Sequence, residues 1–256
     1  MKLIHASAYD GMDIIDPASV NLVCTSPPYG VNMDYDQKDI DPQHYWTFTT
    51  EWLQAVHRIL KPDGYVAVNI PVGTNSFGTS FVPTFYGIAR EIGFHDTGVL
   101  ITWVKRFDDS GRLYRKRIKH KVWNGRLKFQ YCAEMVLVVS GPEATHRTVG
   151  QDLTEGERYA WAFNVWDIQP ETDRTHPAPY PIELPTRIIK IFSNPHDTVL
   201  DPFVGSGTTL LACHNTGREG IGIDHSENYL RMAHKRLSDV SCEWHIVDHK
   251  GYKEDV

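Results

Sequence analysis

The chain has 256 residues, 41% of them hydrophobic, which is enough for one large domain, or for a domain with an insertion, around a substantial core. It holds no apolar run that could span a bilayer and no secretory signal peptide, so we expect a cytoplasmic protein. Its four cysteines include no CxxC pair and its 13 histidines no HExxH motif, so neither a disulfide framework nor a metal site is expected.

Predicted strands and helices alternate along the chain, which favours an α/β fold with a mostly parallel sheet covered by helices on both faces. Residues 2–25 indicate strand, turn and strand, with a break at Asp16-Pro17. The later predicted strands are 65–70, 98–104, 134–140, 198–200 and 220–223. The predicted helices are 45–60, 81–92, 183–193, 208–215 and 227–237, with a turn at 61–64. Residues 141–175 are predicted to be irregular, although 161–168 are apolar enough to pack.

Two prolines end the second predicted strand abruptly, in the stretch Cys24-Thr-Ser-Pro-Pro-Tyr-Gly30. Proline fixes φ and cannot donate to a ladder, so Pro27 and Pro28 predict a stiff turn at the carboxyl end of the strand. Ligands of open α/β sheets bind beyond that end. The turn would hold the hydroxyl of Ser26 beside the ring of Tyr29, which suits a flat ring that bears an amino group. A surface turn without function is the alternative.

A second stretch, Val199-Leu-Asp-Pro-Phe-Val-Gly-Ser-Gly-Thr-Thr209, joins a buried strand to a helix through a Gly-x-Gly loop. Glycine lets the main chain approach a ligand closely. Asp201 ends this strand, where it would pair with a cationic group, and Asp224 ends the next, where an acid binds a ribose diol. The third glycine of the dinucleotide fingerprint and the Gly-Lys-Ser/Thr of a P-loop are missing. S-adenosylmethionine, with an amine and a ribose but no pyrophosphate, fits this pattern.

The residues predicted to bind this cofactor are Asp201, Pro202, Phe203, Gly205, Ser206, Gly207, Thr208 and Asp224. His176, in a proline-rich turn before a helix, is added as a residue that lines the pocket, with a plain turn as the alternative.

A basic segment, residues 105–128, interrupts an acidic chain. It holds ten basic and two acidic residues, whereas the rest of the chain holds 16 basic and 30 acidic ones, for a net charge of −6 overall. Such asymmetry predicts contact with a polyanion, with a solvated charged surface as the alternative. The candidate nucleic-acid contacts are Arg106, Arg112, Arg115, Lys116, Arg117, Lys119 and Lys121.

Together these stretches resemble the DNA amino-methyltransferases that modify N4 of cytosine or N6 of adenine. Asp201-Pro-Phe-Val-Gly-Ser-Gly is similar to their cofactor motif and Thr25-Ser-Pro-Pro-Tyr29 to their catalytic motif. The catalytic motif comes first, with the basic segment between, an order similar to the permuted group called β. Arg58-Ile-Leu-Lys-Pro-Asp-Gly64 and His176-Pro-Ala-Pro-Tyr-Pro181 also match that group.

The resemblance implies a circularly permuted, Rossmann-like methyltransferase fold. Residues 1–104 would form its catalytic half and residues 166–256 its S-adenosylmethionine-binding half. Residues 105–165 would form a basic insertion that recognises the target. Where the family often has an acid that contacts the cofactor adenine, this chain has Ala6-Ser7, and Asp10 is the candidate substitute.

The implied reaction is methyl transfer from S-adenosylmethionine to the exocyclic amino group of a flipped DNA base. Serine at position 26 resembles the N4-cytosine enzymes, so cytosine is favoured and N6-adenine is left open. Attack at C5 of cytosine is not expected, because it needs a cysteine thiolate and Cys24 is on a buried strand. Methylation of RNA or of a protein amide, and an idle nucleic-acid-binding subunit, are the other hypotheses. DNA is the expected partner, without membrane or metal; a homodimer and a cognate restriction endonuclease are left open.

Overall fold

The structure, a computed structural model, describes residues 1–29, 44–73, 79–105, 122–123, 126–127, 132–169, 181–239, 241–248 and 251–253. Its helices are α1 (Ala8–Asp13), α2 (Tyr45–Ile59), α3 (Phe81–Ile92), α4 (Glu155–Trp161), α5 (Glu183–Phe192), α6 (Thr208–Asn215) and α7 (Glu227–Arg236), with a 3-10 turn at Ala144–His146. Its strands are β1 (Lys2–His5), β2 (Val20–Thr25), β3 (Leu60–Pro71), β4 (His95–Val104), β5 (Val122–Trp123), β6 (Arg126–Leu127), β7 (Ala133–Ser140), β8 (Val165–Asp167), β9 (Thr198–Asp201), β10 (Glu219–Asp224), β11 (Glu243–Asp248) and β12 (Gly251–Lys253). Among these residues, no helix is long and apolar enough to cross a membrane.

Within the described residues, ten strands form one sheet in the order β12-β11-β1-β10-β9-β2-β3-β7-β4-β8. Within the run β11-β1-β10-β9-β2-β3, every pair of adjacent strands is parallel. At the edge beyond β11, β12 pairs antiparallel. β7 runs antiparallel between β3 and β4, and β8 pairs with β4 in parallel. The carboxyl ends of β1, β10, β9, β2 and β3 therefore lie along the same edge of the sheet.

Helices cover both faces of the sheet, because the central strands are apolar on both sides. In β2 every residue is buried, and Val23 packs into a core that contains Trp52 of α2, while Leu22 packs into another that contains Ile188 of α5. Successive side chains of a strand point to opposite faces, so a continuous apolar run is what a doubly covered strand requires. The predicted α/β class, with a mostly parallel sheet and helices on both faces, is confirmed. The predicted circular permutation stays an interpretation.

The structure corrects three local predictions. The predicted turn between the first two strands contains helix α1, whose N-cap Ser7 accepts a hydrogen bond from the backbone N–H of Asp10. The predicted turn at 61–64 lies inside β3 as a bulge, because Val20 pairs with Leu60 but Leu22 pairs with Tyr65.

The predicted irregular segment 141–175 contains α4 and β8. The capping box formed by Thr154 and Glu157 begins α4. Further on, Trp166 of β8 is buried. β7 also lies inside the segment 105–165 that was assigned to target recognition, and it pairs with the main sheet. The three-part division of the chain stays a prediction.

Candidate active site

The two predicted motifs meet because β2 and β9 are neighbours in the sheet. Leu22 pairs with Val199 and Val23 with Leu200, so the two strands end side by side. Beyond these pairs, the Thr25 hydroxyl donates a 2.6 Å hydrogen bond to Oδ1 of Asp201. The proline turn after β2 and the glycine loop after β9 therefore lie at the same edge of the sheet.

The proline turn holds two hydroxyl groups together. Oγ of Ser26 and the hydroxyl of Tyr29 are 2.8 Å apart, within hydrogen-bonding distance. Pro27 is buried, whereas Ser26, Pro28 and Tyr29 are only partly buried. The ring of Tyr29 stands edge-on to that of Phe81, with the centroids 6.5 Å apart. A fixed hydroxyl pair next to a partly exposed aromatic ring is the arrangement that the sequence predicted for this turn.

Two side chains that the sequence analysis missed, those of Asn69 and Glu134, contact this hydroxyl pair. The amide nitrogen of Asn69, on β3, donates to the Tyr29 oxygen at 3.0 Å and to Oε2 of Glu134, on β7, at 2.5 Å. Tyr29 in turn lies 3.3 Å from the same carboxylate oxygen. The other oxygen of Glu134 forms an ion pair with Lys105. Asn69 interrupts the apolar residues 66–70 of β3, and this polar residue in an apolar run was the signal that could have revealed it.

Asp201 connects the proline turn to the glycine loop. Its side chain is buried and accepts hydrogen bonds from Thr25, from the Thr209 hydroxyl at 2.5 Å and from the backbone N–H of Phe203 at 3.1 Å. Burial raises the pKa of Asp201 to about 6, although these hydrogen bonds oppose the shift. The carboxylate thus fixes the start of the glycine loop to the proline turn. Its predicted pairing with a cation of the cofactor stays a prediction.

The glycine loop depends on its two glycines. Gly205 and Gly207 have φ of +51° and +84°, in the left-handed region. A Cβ atom on Gly207 would lie 2.8 Å from the Cβ atom of Ala233 on α7, so the loop packs directly on that helix. Arg236 of α7 donates to the carbonyl oxygen of Ser206 and to the hydroxyl of Thr208, both at 3.1 Å. Both contacts come from α7, so this helix supports the conformation of the loop.

Asp224 ends β10, the strand next to β9. Its carboxylate accepts from the backbone N–H of Gly205 at 2.9 Å and of Ser226 at 2.8 Å, and burial raises its pKa. It pairs with His5 in the register of β1 and β10, so helix α1, which contains Asp10, follows at the same edge. The predicted cofactor residues of the loop and Asp224 are thus brought together.

A family model described as DNA methylase, which represents the N6 and N4 methyltransferases, matches residues 20–235. The chain belongs to this family. The methyltransferase is 29% identical over 263 residues to the Type II methyltransferase M.HpaI of Haemophilus parainfluenzae, in an alignment that covers 97% of this chain and 78% of that protein. The expected membership of the DNA amino-methyltransferases is confirmed.

Two solved structures show the same fold as the methyltransferase. One is TTHA0409 from Thermus thermophilus in complex with S-adenosyl-L-methionine, which is 24% identical, with a TM-score of 0.73 over 97% of this chain and 98% of that one. The other is the PvuII DNA methyltransferase (cytosine-N4-specific), which is 18% identical, with a TM-score of 0.71 over 92% of this chain and 85% of that one.

The residues of the methyltransferase fit S-adenosylmethionine, the cofactor of its family. At Gly205 and Gly207 the glycine loop has no side chain, so a ligand can come close to its main chain. Backbone N–H groups hold the carboxylates of Asp201 and Asp224 at the ends of β9 and β10. A nucleoside with a short charged chain requires close main-chain approach and an acid at the next strand end. Within this family, the roles of the individual residues stay predictions.

Part of the predicted site lies outside the described residues. This holds for His176 and for all seven candidate nucleic-acid contacts, Arg106, Arg112, Arg115, Lys116, Arg117, Lys119 and Lys121. Cys24, in contrast, is described: it is 2% exposed, and burial raises the pKa of its thiol well above the usual value. A thiol held neutral in the core cannot serve as the nucleophile that attack at C5 of cytosine requires.

Proposed function

We propose that the methyltransferase transfers a methyl group from S-adenosylmethionine to the exocyclic amino group of a DNA base that has been flipped out of the helix, with N4 of cytosine as the preferred target. One observation carries the proposal: the hydroxyl pair of Ser26 and Tyr29 lies at the end of β2, and Thr25 joins that turn to Asp201 at the start of the glycine loop.

In this proposal the proline turn holds and orients the amino group. Oγ of Ser26 and a main-chain carbonyl near Pro27 accept hydrogen bonds from its two N–H groups, which draws the nitrogen lone pair out of conjugation with the ring. The ring of Tyr29 stacks on the base. The bound cofactor supplies an electrophilic methyl group on a sulfonium. The residues contribute mostly by holding the two reactants in line, because fixed geometry alone supplies a large part of the rate in such reactions.

Base flipping is part of the proposal because the amino nitrogen of a paired base is engaged in the duplex. Enzymes that act on a base therefore extrude it into a pocket. Seven of the ten basic residues of the segment 105–128, the candidate nucleic-acid contacts named above, are proposed to contact the DNA backbone while the base is held.

Cytosine is proposed as the target because serine occupies position 26 and because the fold matches that of a cytosine-N4-specific enzyme. The similarity to a Type II methyltransferase supports a further part of the proposal, that the protein modifies a specific site and has a cognate restriction endonuclease. Homodimer formation and a cytoplasmic location complete the proposal.

The test is to incubate the protein with DNA and labelled S-adenosylmethionine and to identify the methylated nucleoside by mass spectrometry. We expect N4-methylcytosine; N6-methyladenine would correct the base but retain the site. Ser26→Ala and Tyr29→Ala should each lower the methylation rate by about 100-fold or more. Ser238→Ala changes an exposed serine outside the proposed target-recognition segment and should leave the rate unchanged. A Ser26→Ala variant with the wild-type rate would reject this site.

A further inference from the structure

Glu134 is a charged group in the candidate site that the proposed function does not use. Its side chain is 14% exposed. Oε2 accepts from Asn69 at 2.5 Å and lies 3.3 Å from the hydroxyl of Tyr29, and Oε1 is paired with the ammonium of Lys105. This carboxylate is held by Asn69 and Lys105 and lies next to Tyr29 of the proline turn. Its position in the site therefore needs an explanation.

The carboxylate decides which way the hydroxyl hydrogen bonds run. An ionised carboxylate only accepts hydrogen bonds, and a hydrogen bond to a charged acceptor is about twice as strong as a neutral one. The Tyr29 hydroxyl also lies 3.4 Å from the carbonyl oxygen of Asn69, but Oε2 of Glu134 at 3.3 Å is the charged acceptor, so the single proton of Tyr29 points to Glu134. The Tyr29 oxygen then accepts from Ser26 at 2.8 Å and from Asn69 at 3.0 Å. Because its proton points to Tyr29, Oγ of Ser26 presents only lone pairs outward, as an acceptor for the amino group must.

Asn69 shows that the orientation of this network has an energetic cost. Its amide nitrogen contacts Glu134, Tyr29 and, at 3.4 Å, Ser26. Its amide oxygen is buried and has no hydrogen-bond partner among the described residues. An unpaired buried oxygen is unfavourable, and each such group in a native protein requires an explanation. Here the carboxylate of Glu134 holds the amide in that orientation.

We propose that Glu134 is a positioning residue of the methyl-transfer reaction, which sets the direction of the Tyr29–Ser26 hydrogen bonds and receives, through them, the proton that the methylated amine releases. The inference rests on the proposed function, since it takes Ser26 as the group that contacts the amino nitrogen.

The proton route balances. When the amino nitrogen forms its new N–C bond, the C–S bond breaks with its electron pair left on sulfur, and the nitrogen carries one proton too many. That proton passes to Oγ of Ser26, the Ser26 proton passes to the Tyr29 oxygen, and the Tyr29 proton passes to Oε2 of Glu134. Ser26 and Tyr29 end neutral and Glu134 ends protonated. The ion pair with Lys105 holds the carboxylate in place.

The test compares two variants that break the same ion pair. Glu134→Gln keeps the size of the side chain but replaces the carboxylate with an amide, which cannot accept the proton. Lys105→Met removes the ammonium group and leaves the carboxylate of Glu134 in place. Single-turnover methylation at saturating DNA and cofactor should fall about 100-fold in Glu134→Gln and less than about tenfold in Lys105→Met. The dissociation constants for cofactor and DNA should stay within about threefold in Glu134→Gln. Glu91→Gln, an exposed glutamate on α3, is the matched control and should behave as the wild type.

A second measurement needs neither cofactor nor DNA. In protein labelled at the tyrosine ring carbon that bears the hydroxyl, the NMR signal of Tyr29 is identified by its loss in Tyr29→Phe. It should shift in Glu134→Gln and not in Glu91→Gln. Equal rate losses in Glu134→Gln and Lys105→Met, a wild-type rate in Glu134→Gln, or an unshifted Tyr29 signal would each overturn the inference. A fully active Ser26→Ala variant would instead reject the proposed function itself. The failure of the proposed function and the failure of this inference therefore give different results.

Discussion

The buried carboxylate of Asp201 should make the stability of the protein depend on pH in an unusual direction. Its pKa is raised from 3.8 to about 6 because burial disfavours the charge. Between these values the folded protein binds one more proton than the unfolded chain. The free energy of unfolding must therefore fall as pH rises through this range, whereas a paired surface acid contributes the opposite trend.

The size of the effect follows from the shift. Each unit of pKa corresponds to about 1.4 kcal/mol, so ionised Asp201 lowers stability by about 3 kcal/mol at pH well above 6. About half of this, roughly 1.5 kcal/mol, develops between pH ~5 and pH ~8. Asp201→Asn removes the ionisation and keeps an oxygen that accepts from Thr25 and from the backbone of Phe203. The Thr209 hydroxyl can rotate to accept from the new amide.

The assay is urea unfolding of wild type and Asp201→Asn at a series of pH values without cofactor. The stability of the variant relative to the wild type should rise by about 1.5 kcal/mol from pH ~5 to pH ~8. Two curves that run parallel over this range would refute the reasoning, because they would mean that the carboxyl group has the same pKa in both states.

Two further predictions concern the supports of the site. Gly207→Ala should lower the free energy of unfolding in urea by about 2–4 kcal/mol, because the new methyl group clashes with Ala233 and the left-handed φ is unfavourable for alanine. Gly217→Ala is the matched control: its φ is also left-handed, at +70°, but the space around its Cβ position is open, so it should cost about 1 kcal/mol. Equal losses would contradict the packing argument. Asp152→Asn should cost about 2 kcal/mol at neutral pH, because it leaves the fully buried Arg218 without its carboxylate. Since Arg218 lowers the pKa of Asp152, this cost should shrink as pH falls towards and below the usual value of an aspartate, and a cost that stays constant in acid would contradict the assignment.

The sequence sufficed for the parts of the fold that have a strong local signal. The helices predicted at 45–60, 81–92 and 227–237 correspond to α2, α3 and α7. Their boundaries have local causes: Gly93, with φ of +118°, ends α3, and the N-cap Ser226 begins α7. The clustering of the two motifs followed from a rule about parallel sheets, that the carboxyl ends of strands share one edge. Each of these inferences needed only nearby residues or a general rule of topology.

The missed features depend on contacts between distant parts of the chain. The bulge at 61–64 exists because β3 must pair with β2 on both sides of it, and nothing in Lys61-Pro-Asp-Gly64 distinguishes a bulge from a turn. The role of Glu134 could not be predicted either, because it depends on β7 lying antiparallel to β3, which brings Glu134 next to Asn69. An acid at the start of an apolar strand is usually a solvated strand end, and its sequence neighbours give no other indication.

The bond between Thr25 and Asp201 gives the site a property that neither motif has alone. It joins residues 176 positions apart, one directly before Ser26, the proposed catalytic residue, and the other at the start of the glycine loop, the proposed cofactor site. Both groups are buried, so the bond is shielded from water, and a break would leave an unsatisfied polar group. The distance between the proline turn, which is proposed to hold the amine, and the glycine loop, which is proposed to hold the methyl donor, is therefore fixed before either ligand binds. Since a displacement of about 1 Å can lower a rate by about 100-fold, we expect this buried bond to act together with the contacts to the ligands in aligning the two reactants.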